Sequence, residues 1–244
     1  MSWESSISVS SPAASLPDVG VVIVAAGAGV RAGPGEPKQF RAIDGVPMLL
    51  RALRPFVSHP QVDRVVVALP AGYVSQPPDW LATLTGARLH LVPGGGTRSD
   101  SVQAGLEVLP SHTRVVLVHD AARPFVSQAT IDAVIARART GVGAVAAVPM
   151  GDTVKDVDDD GRVARTVPRA RLWRAQTPQG FPIQMLKNAY ASMGNARDRN
   201  PTDDAELCER QSLTVEVVAD SPSNVKVTTA EDFRIADALA RAMK

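Results

Sequence analysis

The longest apolar runs of this chain are short and nearly continuous rather than alternating. Val19 to Ala25 holds no charged residue, is rich in β-branched side chains and leads into glycines, the pattern of a strand covered on both faces of a parallel sheet. Comparable runs recur at Val65 to Leu69, Leu89 to Val92, Val115 to Val118, Gly143 to Val148 and Val215 to Ala219. Between them, apolar residues return at helical spacing. Val102, Leu106 and Leu109 follow the polar start Thr97-Arg98-Ser99, where Thr97 and Ser99 compete for the cap, and Ile131, Val134, Ile135 and Ala138 line a second face. A capping-box pattern from Thr228 to Glu231 opens the last helix, which carries Phe233, Ala236, Leu239, Ala240 and Met243 on one stripe. This alternation predicts an α/β fold built on a doubly wound, mostly parallel sheet.

One region breaks the alternation. Thr153 to Val157 and Val163 to Val167 are strand-like and are joined by Asp158-Asp159-Asp160-Gly161, a hairpin signal, so a β-hairpin arm is expected over approximately residues 150–172. A lone hairpin is only marginally stable in water. The arm is therefore expected to pack on a second copy and make a homodimer, with folding back onto its own domain as the alternative.

Composition narrows the classes. The 244 residues, 45% of them apolar, suffice for one substantial core, so a single domain over residues 19–244 is expected after a disordered, Ser-, Pro- and Ala-rich tail at 1–18. Lys and Arg (26) nearly balance Asp and Glu (25), which leaves a net charge of +1 and no global field for nucleic acid or an anionic membrane. The chain shows no signal-peptide pattern and no apolar run near the roughly 20 residues needed to span a bilayer, so a soluble, cytoplasmic protein is expected. The single cysteine, Cys208, excludes an intrachain disulfide and reads as a quiet helical residue.

Chemistry concentrates after the first strand. Ala25-Ala26-Gly27-Ala28-Gly29-Val30-Arg31-Ala32-Gly33 and then Pro37-Lys38-Gln39-Phe40 combine small residues, which let backbone N–H groups approach phosphate oxygens, with the cations Arg31 and Lys38. Gly27, Gly29 and Gly33 do not fit the G-x-G-x-x-G spacing, and the strand ending at Leu69-Pro70 has no acidic residue for a ribose, which argues against a nicotinamide enzyme. No Walker loop occurs either.

Four segments in order carry a resemblance: that loop with Pro37-Lys38-Gln39-Phe40, Gly94-Gly95-Gly96-Thr97-Arg98-Ser99-Asp100-Ser101-Val102, His119-Asp120-Ala121-Ala122-Arg123-Pro124, and Asn224-Val225-Lys226-Val227-Thr228. Together they resemble the 2-C-methyl-D-erythritol 4-phosphate cytidylyltransferases. The resemblance implies a Rossmann-like nucleotidyltransferase fold and transfer of CMP from CTP to a polyol phosphate with release of pyrophosphate. It implies Arg31, Lys38 and Lys226 as the cations on the reacting phosphates. Ala25, Ala26, Gly27, Gly29, Gly95, Gly96, Ser101 and Asp120 would form the CTP site. Asp120, Arg123, Thr153, Arg169, Thr177 and Thr202 would meet the polyol phosphate, with Thr153 and Arg169 reaching a neighbour's site on the arm.

Some readings stay open. A phosphate monoester is already an anion, so His119 is expected to be structural rather than a general base. Mg²⁺ is expected on the CTP phosphates and water rather than in a protein cage, since no carboxylate cluster is apparent. Departures from the family pattern are Val30 and Ala32 in the loop, Gly96 where some relatives are acidic, and Pro168, which restricts the backbone before Arg169. Alternatives are a ribitol 5-phosphate cytidylyltransferase and a nucleotide-binding protein without turnover.

Overall fold

The computed structural model describes residues 16–27, 36–193 and 201–244. Strand β1 (Val19–Val24) is followed by a 3-10 turn at Lys38–Phe40, the small hairpin β2 (Ala42–Ile43) and β3 (Val46–Pro47), and helix α1 (Met48–Val57). Next come β4 (Val62–Leu69), the short α2 (Ala71–Ser75) and α3 (Asp79–Ala82), and β5 (Leu89–Pro93). The chain continues through α4 (Arg98–Glu107), β6 (Val115–Asp120), α5 (Gln128–Ala138) and β7 (Gly143–Pro149). After the arm, β8 (Val154–Val157) and β9 (Val163–Val167), follow β10 (Trp173–Pro182), α6 (Ile183–Ser192), α7 (Asp204–Glu209), β11 (Val215–Ala219) and α8 (Ala230–Ala242).

Seven strands form one sheet in the order β11-β7-β10-β6-β1-β4-β5. Pairing is parallel except for β10, which runs against both β6 and β7. Strand β1 shows why its sequence is apolar throughout. Val21 and Ile23 face a core layer with Leu49, Leu53 and Phe56 of α1 and Ile131 and Val134 of α5, while Val22 faces the opposite layer with Val102 and Leu106 of α4 and Leu186 of α6. Helix α4 lies so close to the sheet that a Cβ on Gly105 would sit 2.5 Å from Val22 Cγ1, so that turn requires glycine.

Strand β10 departs from the alternation expected from sequence. Its residues Gln176, Thr177 and Gln179 are polar yet buried, so no apolar run marks it. Each side chain is bonded internally, Gln176 Nε2 to Asn224 O at 3.0 Å and Gln179 Nε2 to Asp203 Oδ2 at 2.8 Å among them, which makes a polar central strand tolerable. The register of β10 against β7 is irregular between Ala175 and Gln179.

Two boundaries move by small amounts. The expected tail lies mostly outside the described residues, but Asp18 is anchored: its carbonyl accepts from Arg114 N at 2.8 Å and its carboxylate meets Arg139 Nη2 at 2.6 Å. The α8 cap is Thr229 with Asp232, not Thr228 with Glu231, because Asp232 Oδ2 accepts from Thr228 N (2.7 Å), Thr228 Oγ1 (2.7 Å) and Thr229 N (2.8 Å) together. Met243, expected on the buried stripe, is exposed.

Met150 N bonds Leu172 O at 2.9 Å and closes the base of the arm, and Asp158 Oδ1 orders its turn by accepting from Asp160 N at 3.1 Å and Arg162 N at 2.8 Å. Val157 and Val163 on the arm are 52% and 60% exposed.

Candidate active site

The carboxyl ends of β1, β4, β5, β6 and β7 open on one edge of the sheet. The chain passes from β1 to β4 and β5 on one side and then to β6 on the other, so β1 and β6 flank the topological switch point where open α/β sheets bind ligands.

Ala25 extends the strand edge through its N–H, 2.9 Å from Ala68 O, and is followed by half-buried Ala26 and exposed Gly27. The expected site residues Gly29 and Arg31 lie outside the described residues. Across from this strand end, the β5–α4 turn is held by a small network. Gly94 N bonds Leu69 O at 2.7 Å, Gly95 N bonds Ser101 Oγ at 3.2 Å, and that hydroxyl donates to Thr97 O at 3.0 Å. Thr97 caps α4 in a box with Asp100, so it takes the role for which Ser99 competed. A Cβ on Gly94 would fall 2.3 Å from Ala26 Cβ, and one on Gly95 2.2 Å from Asp100 Cβ. The walls here are therefore backbone, with Gly96 beside them and Ser101 fixing their shape from beneath.

At the end of β6, Asp120 is 8% exposed and has a cation on each oxygen: Arg98 Nε lies 3.3 Å from Oδ1 and Lys226 Nζ 2.7 Å from Oδ2. Burial pushes the Asp120 pKa up, but Arg98 and Lys226 more than offset it and hold the carboxyl well below its usual range. Arg98 also meets Asp204 Oδ2 at 2.7 Å, and Tyr190 OH donates to Asp204 Oδ1 at 2.6 Å. Burial opposes the Arg98 charge, yet Asp204 and then Asp120 outweigh it and raise its pKa. The same neighbourhood, burial first and then Asp204, pushes the Cys208 thiol up to about 12, in keeping with a quiet helical cysteine.

Lys38 reaches the Lys226 segment from the other side, with Nζ 3.1 Å from Val227 O, and Val227 N is pinned to Ala122 O at 2.8 Å. Helix α8 thus fixes the chain directly after Lys226 through its Thr228–Thr229–Asp232 cap.

His119 is fully buried and makes a directional chain. Asp120 N donates to Thr177 Oγ1 (3.0 Å), that hydroxyl pairs with His119 Nδ1 (3.0 Å), and His119 Nε2 pairs with Arg123 O (3.0 Å). With the ring N–H on Nε2 every member is satisfied, and burial lowers the His119 pKa to about 4. The histidine is a neutral strut.

Of the other expected substrate residues, Thr177, Arg123, Thr202 and Arg169 have partners within the chain. Thr177 is 4% exposed, with its hydroxyl engaged by Asp120 and His119, so its task in this structure is to orient the strand end. The Arg123 fork is buried and holds Asn224 O (2.8 Å) and Ala175 O (3.4 Å), which braces β6, β10 and the Lys226 segment, with burial lowering its pKa. Thr202 is exposed, and its N and Oγ1 both bond Glu206 Oε2, at 2.6 and 2.8 Å; Asp203 is the α7 cap. Those two donors, then Arg210, lower the Glu206 pKa to about 2. Thr153 and Arg169 are exposed on the arm, with Arg169 Nη1 bonded to Gly151 O, and among the described residues neither bonds the strand-end site.

Sequence reasoning missed Arg98, Asp204, Gln179 and Asn224 as site-building residues. Arg98 and Asn224 stand inside the motifs quoted above, but only the fold shows that they meet partners far along the chain. Asn224 Nδ2 bonds Thr177 O and Asp220 Oδ2, at 2.8 and 2.7 Å, and so ties the Lys226 turn to β10.

Among the described residues no group of three or more His, Cys, Asp or Glu side chains is gathered as metal ligands. The strand-end carboxylate already faces two cations, so the donor set does not build a metal cage there.

A family model described as 2-C-methyl-D-erythritol 4-phosphate cytidylyltransferase matches residues 19–242. A protein of that name from Saccharopolyspora erythraea is 44% identical over 223 residues, covering 89% of this chain and 97% of the relative. A bifunctional IspD/IspF enzyme from Rhodopseudomonas palustris is 42% identical over 227 residues, and there the chain spans about half the relative's length, 54%. Among solved structures, a 2-C-methyl-D-erythritol 4-phosphate cytidylyltransferase from Thermus thermophilus is similar at a TM-score of 0.76 and 33% identity, covering 92% of this chain and 99% of that one.

Proposed function

The chain belongs to the 2-C-methyl-D-erythritol 4-phosphate cytidylyltransferase family, and on that premise we propose that it transfers the CMP part of CTP to 2-C-methyl-D-erythritol 4-phosphate, releasing pyrophosphate. The observation that carries this reading is that Lys38 Nζ bonds Val227 O while the neighbouring Lys226 Nζ meets Asp120 at the switch point, beside a backbone-walled turn.

The chemistry needs little besides charge and alignment. A phosphate oxygen of the polyol phosphate forms a bond to the α-phosphorus of CTP while the bond from that phosphorus to the β-phosphate bridging oxygen breaks. Negative charge moves onto the departing pyrophosphate, and no proton has to be removed from the nucleophile. Lys38, Lys226 and Arg31 are the cations assigned to that charge. Each such cation contributes on the order of 10²–10³ in rate. Ala25, Ala26, Gly27, Gly29, Gly95 and Gly96 are assigned to the nucleotide through backbone groups, and Ser101 to holding their turn; close walls favour a pyrimidine over the larger purines. Mg²⁺ is assigned to the CTP phosphates and water, where it would offset charge.

Asp120 and Thr202 are assigned to the hydroxyl groups of the substrates, and Arg123 and Thr177, which also support the strand end, to the polyol phosphate. Thr153 and Arg169 are assigned to the neighbouring subunit's site in a homodimer joined through the arm; the exposed Val157 and Val163 favour such a contact. No described helix is long and apolar enough to cross a membrane. A cytoplasmic setting is part of the same proposal and rests on the single cysteine.

The test is pyrophosphate release by the purified protein with CTP and Mg²⁺, comparing methylerythritol 4-phosphate with ribitol 5-phosphate. Preference for the first supports the proposal. Preference for ribitol 5-phosphate would keep the chemistry and overturn the substrate, whereas release with neither would leave a nucleotide-binding protein.

A further inference from the structure

Asp120 is shared between two cations that are anchored very differently. Among the described residues Lys226 is attached by one ion pair, 2.7 Å from Oδ2, and its side chain is 45% exposed. Arg98 is 25% exposed and held at two places, by Asp120 Oδ1 at 3.3 Å and by the fully buried Asp204 at 2.7 Å. Asp204 is itself fixed by Tyr190 OH at 2.6 Å and, through its backbone N, by Gln179 Oε1 at 3.1 Å. Arg98 thus has two anchors where Lys226 has one.

A lysine that meets a triphosphate must exchange the Asp120 carboxylate for phosphate oxygens. After that exchange a bare Asp120 would stand beside the bound anion and repel it, and before it the bare carboxylate would hold Lys226 more tightly. An arginine locked on the other oxygen lessens both effects. Arg98 is also the first residue of α4, directly after the Thr97 cap, so the same side chain ties the Gly94–Ser101 turn to the strand end.

The geometry points to Arg98 as a positioning residue that neutralises and orients Asp120, so that Lys226 is parked on the carboxylate in the free enzyme and released to the triphosphate when CTP binds. The inference rests on the cytidylyl-transfer reading above and adds the residue that makes Lys226 transferable. Arg98 touches no reacting atom in this account; it acts through Asp120.

The test is a double-mutant cycle of Arg98→Met and Asp120→Asn, carried in an Asp204→Asn background so that removing Arg98 strands no buried carboxylate. Arg98→Lys in the same background serves as rescue, melting temperature reports folding, and kcat and KM for CTP are read from pyrophosphate release. With Asp120 present, Arg98→Met is expected to lower kcat/KM for CTP about 30-fold, through both a higher KM and a lower kcat, with Arg98→Lys recovering much of the loss. With Asp120→Asn in place, the same change should cost less than about threefold, since no anion remains to be neutralised. An equal loss in both backgrounds would mean that Arg98 serves only the fold, and would overturn the inference. Failure of the unsubstituted enzyme to release pyrophosphate from CTP would instead sink the cytidylyl-transfer reading on which it stands.

Discussion

Replacing Lys226 by Met separates the lysine's catalytic work from its contribution to the fold. The structural cost is small by construction of the site. Lys226 is 45% exposed, and the buried Asp120 keeps Arg98 on its other oxygen, so that carboxylate is not left unpaired. Losing one charge-assisted contact to a carboxylate that keeps its other cation costs about 1–2 kcal/mol. For a domain of this length that lowers the melting temperature by roughly 2–8 °C. The kinetic cost is larger: removing one cation from an electrostatic site raises the barrier by about 3–4 kcal/mol, on the order of 10²–10³ in rate. Because the charge that Lys226 meets grows as pyrophosphate departs, kcat should fall far more than CTP affinity. Steady-state pyrophosphate release at varied CTP, with thermal unfolding on the same samples, measures both. A kcat within about threefold of the unsubstituted enzyme, or a loss confined to KM, would remove Lys226 from the catalytic set and refute the reasoning.

Three further outcomes follow from the same geometry. His119 has its pKa lowered from 6.5 to about 4, so its contribution to stability is complete above pH 6.5 and is lost as pH falls toward 4; over that window about 3 kcal/mol should drain away. The Asp120 contribution, from a lowered carboxyl, is lost only at lower pH, so melting scans of His119→Gln should be flatter between pH 6.5 and 4, and curves parallel to those of the unsubstituted protein would contradict the assignment. Gly95→Ala should raise KM for CTP and destabilise by about 1–3 kcal/mol, because the new Cβ would lie 2.2 Å from Asp100 Cβ and push on the α4 cap; unchanged kinetics would place the nucleotide elsewhere. Val163→Lys on the exposed arm should shift sedimentation from dimer toward monomer, and a monomer mass for the unsubstituted protein would defeat the shared site.

Much of the frame was legible because parallel strands buried on both faces leave continuous apolar runs, as in β1. The arm was legible for a different reason, its turn chemistry. Strand β10 was not, since Gln176, Thr177 and Gln179 are buried through hydrogen bonds to Asn224, Asp203 and the β6 end, partners that no local pattern reveals. The α8 cap shifted by one residue because Thr228-Thr229 is followed by both Glu231 and Asp232, and only the fold shows which carboxylate turns back. Motifs located Lys38, Lys226 and Asp120 together. They did not show that Arg98 bridges Asp120 and Asp204, a contact spanning 22 residues on one side, or that the Arg123 fork holds backbone carbonyls.

The central claim, that this chain moves a cytidylyl group, is tested most directly with CTP labelled at the α-phosphorus, incubated with the enzyme, Mg²⁺ and methylerythritol 4-phosphate and resolved by chromatography. The account expects the label in a cytidine diphosphate ester of the polyol, formed in step with pyrophosphate. Label that stays in CTP, or appears only as CMP, would contradict it.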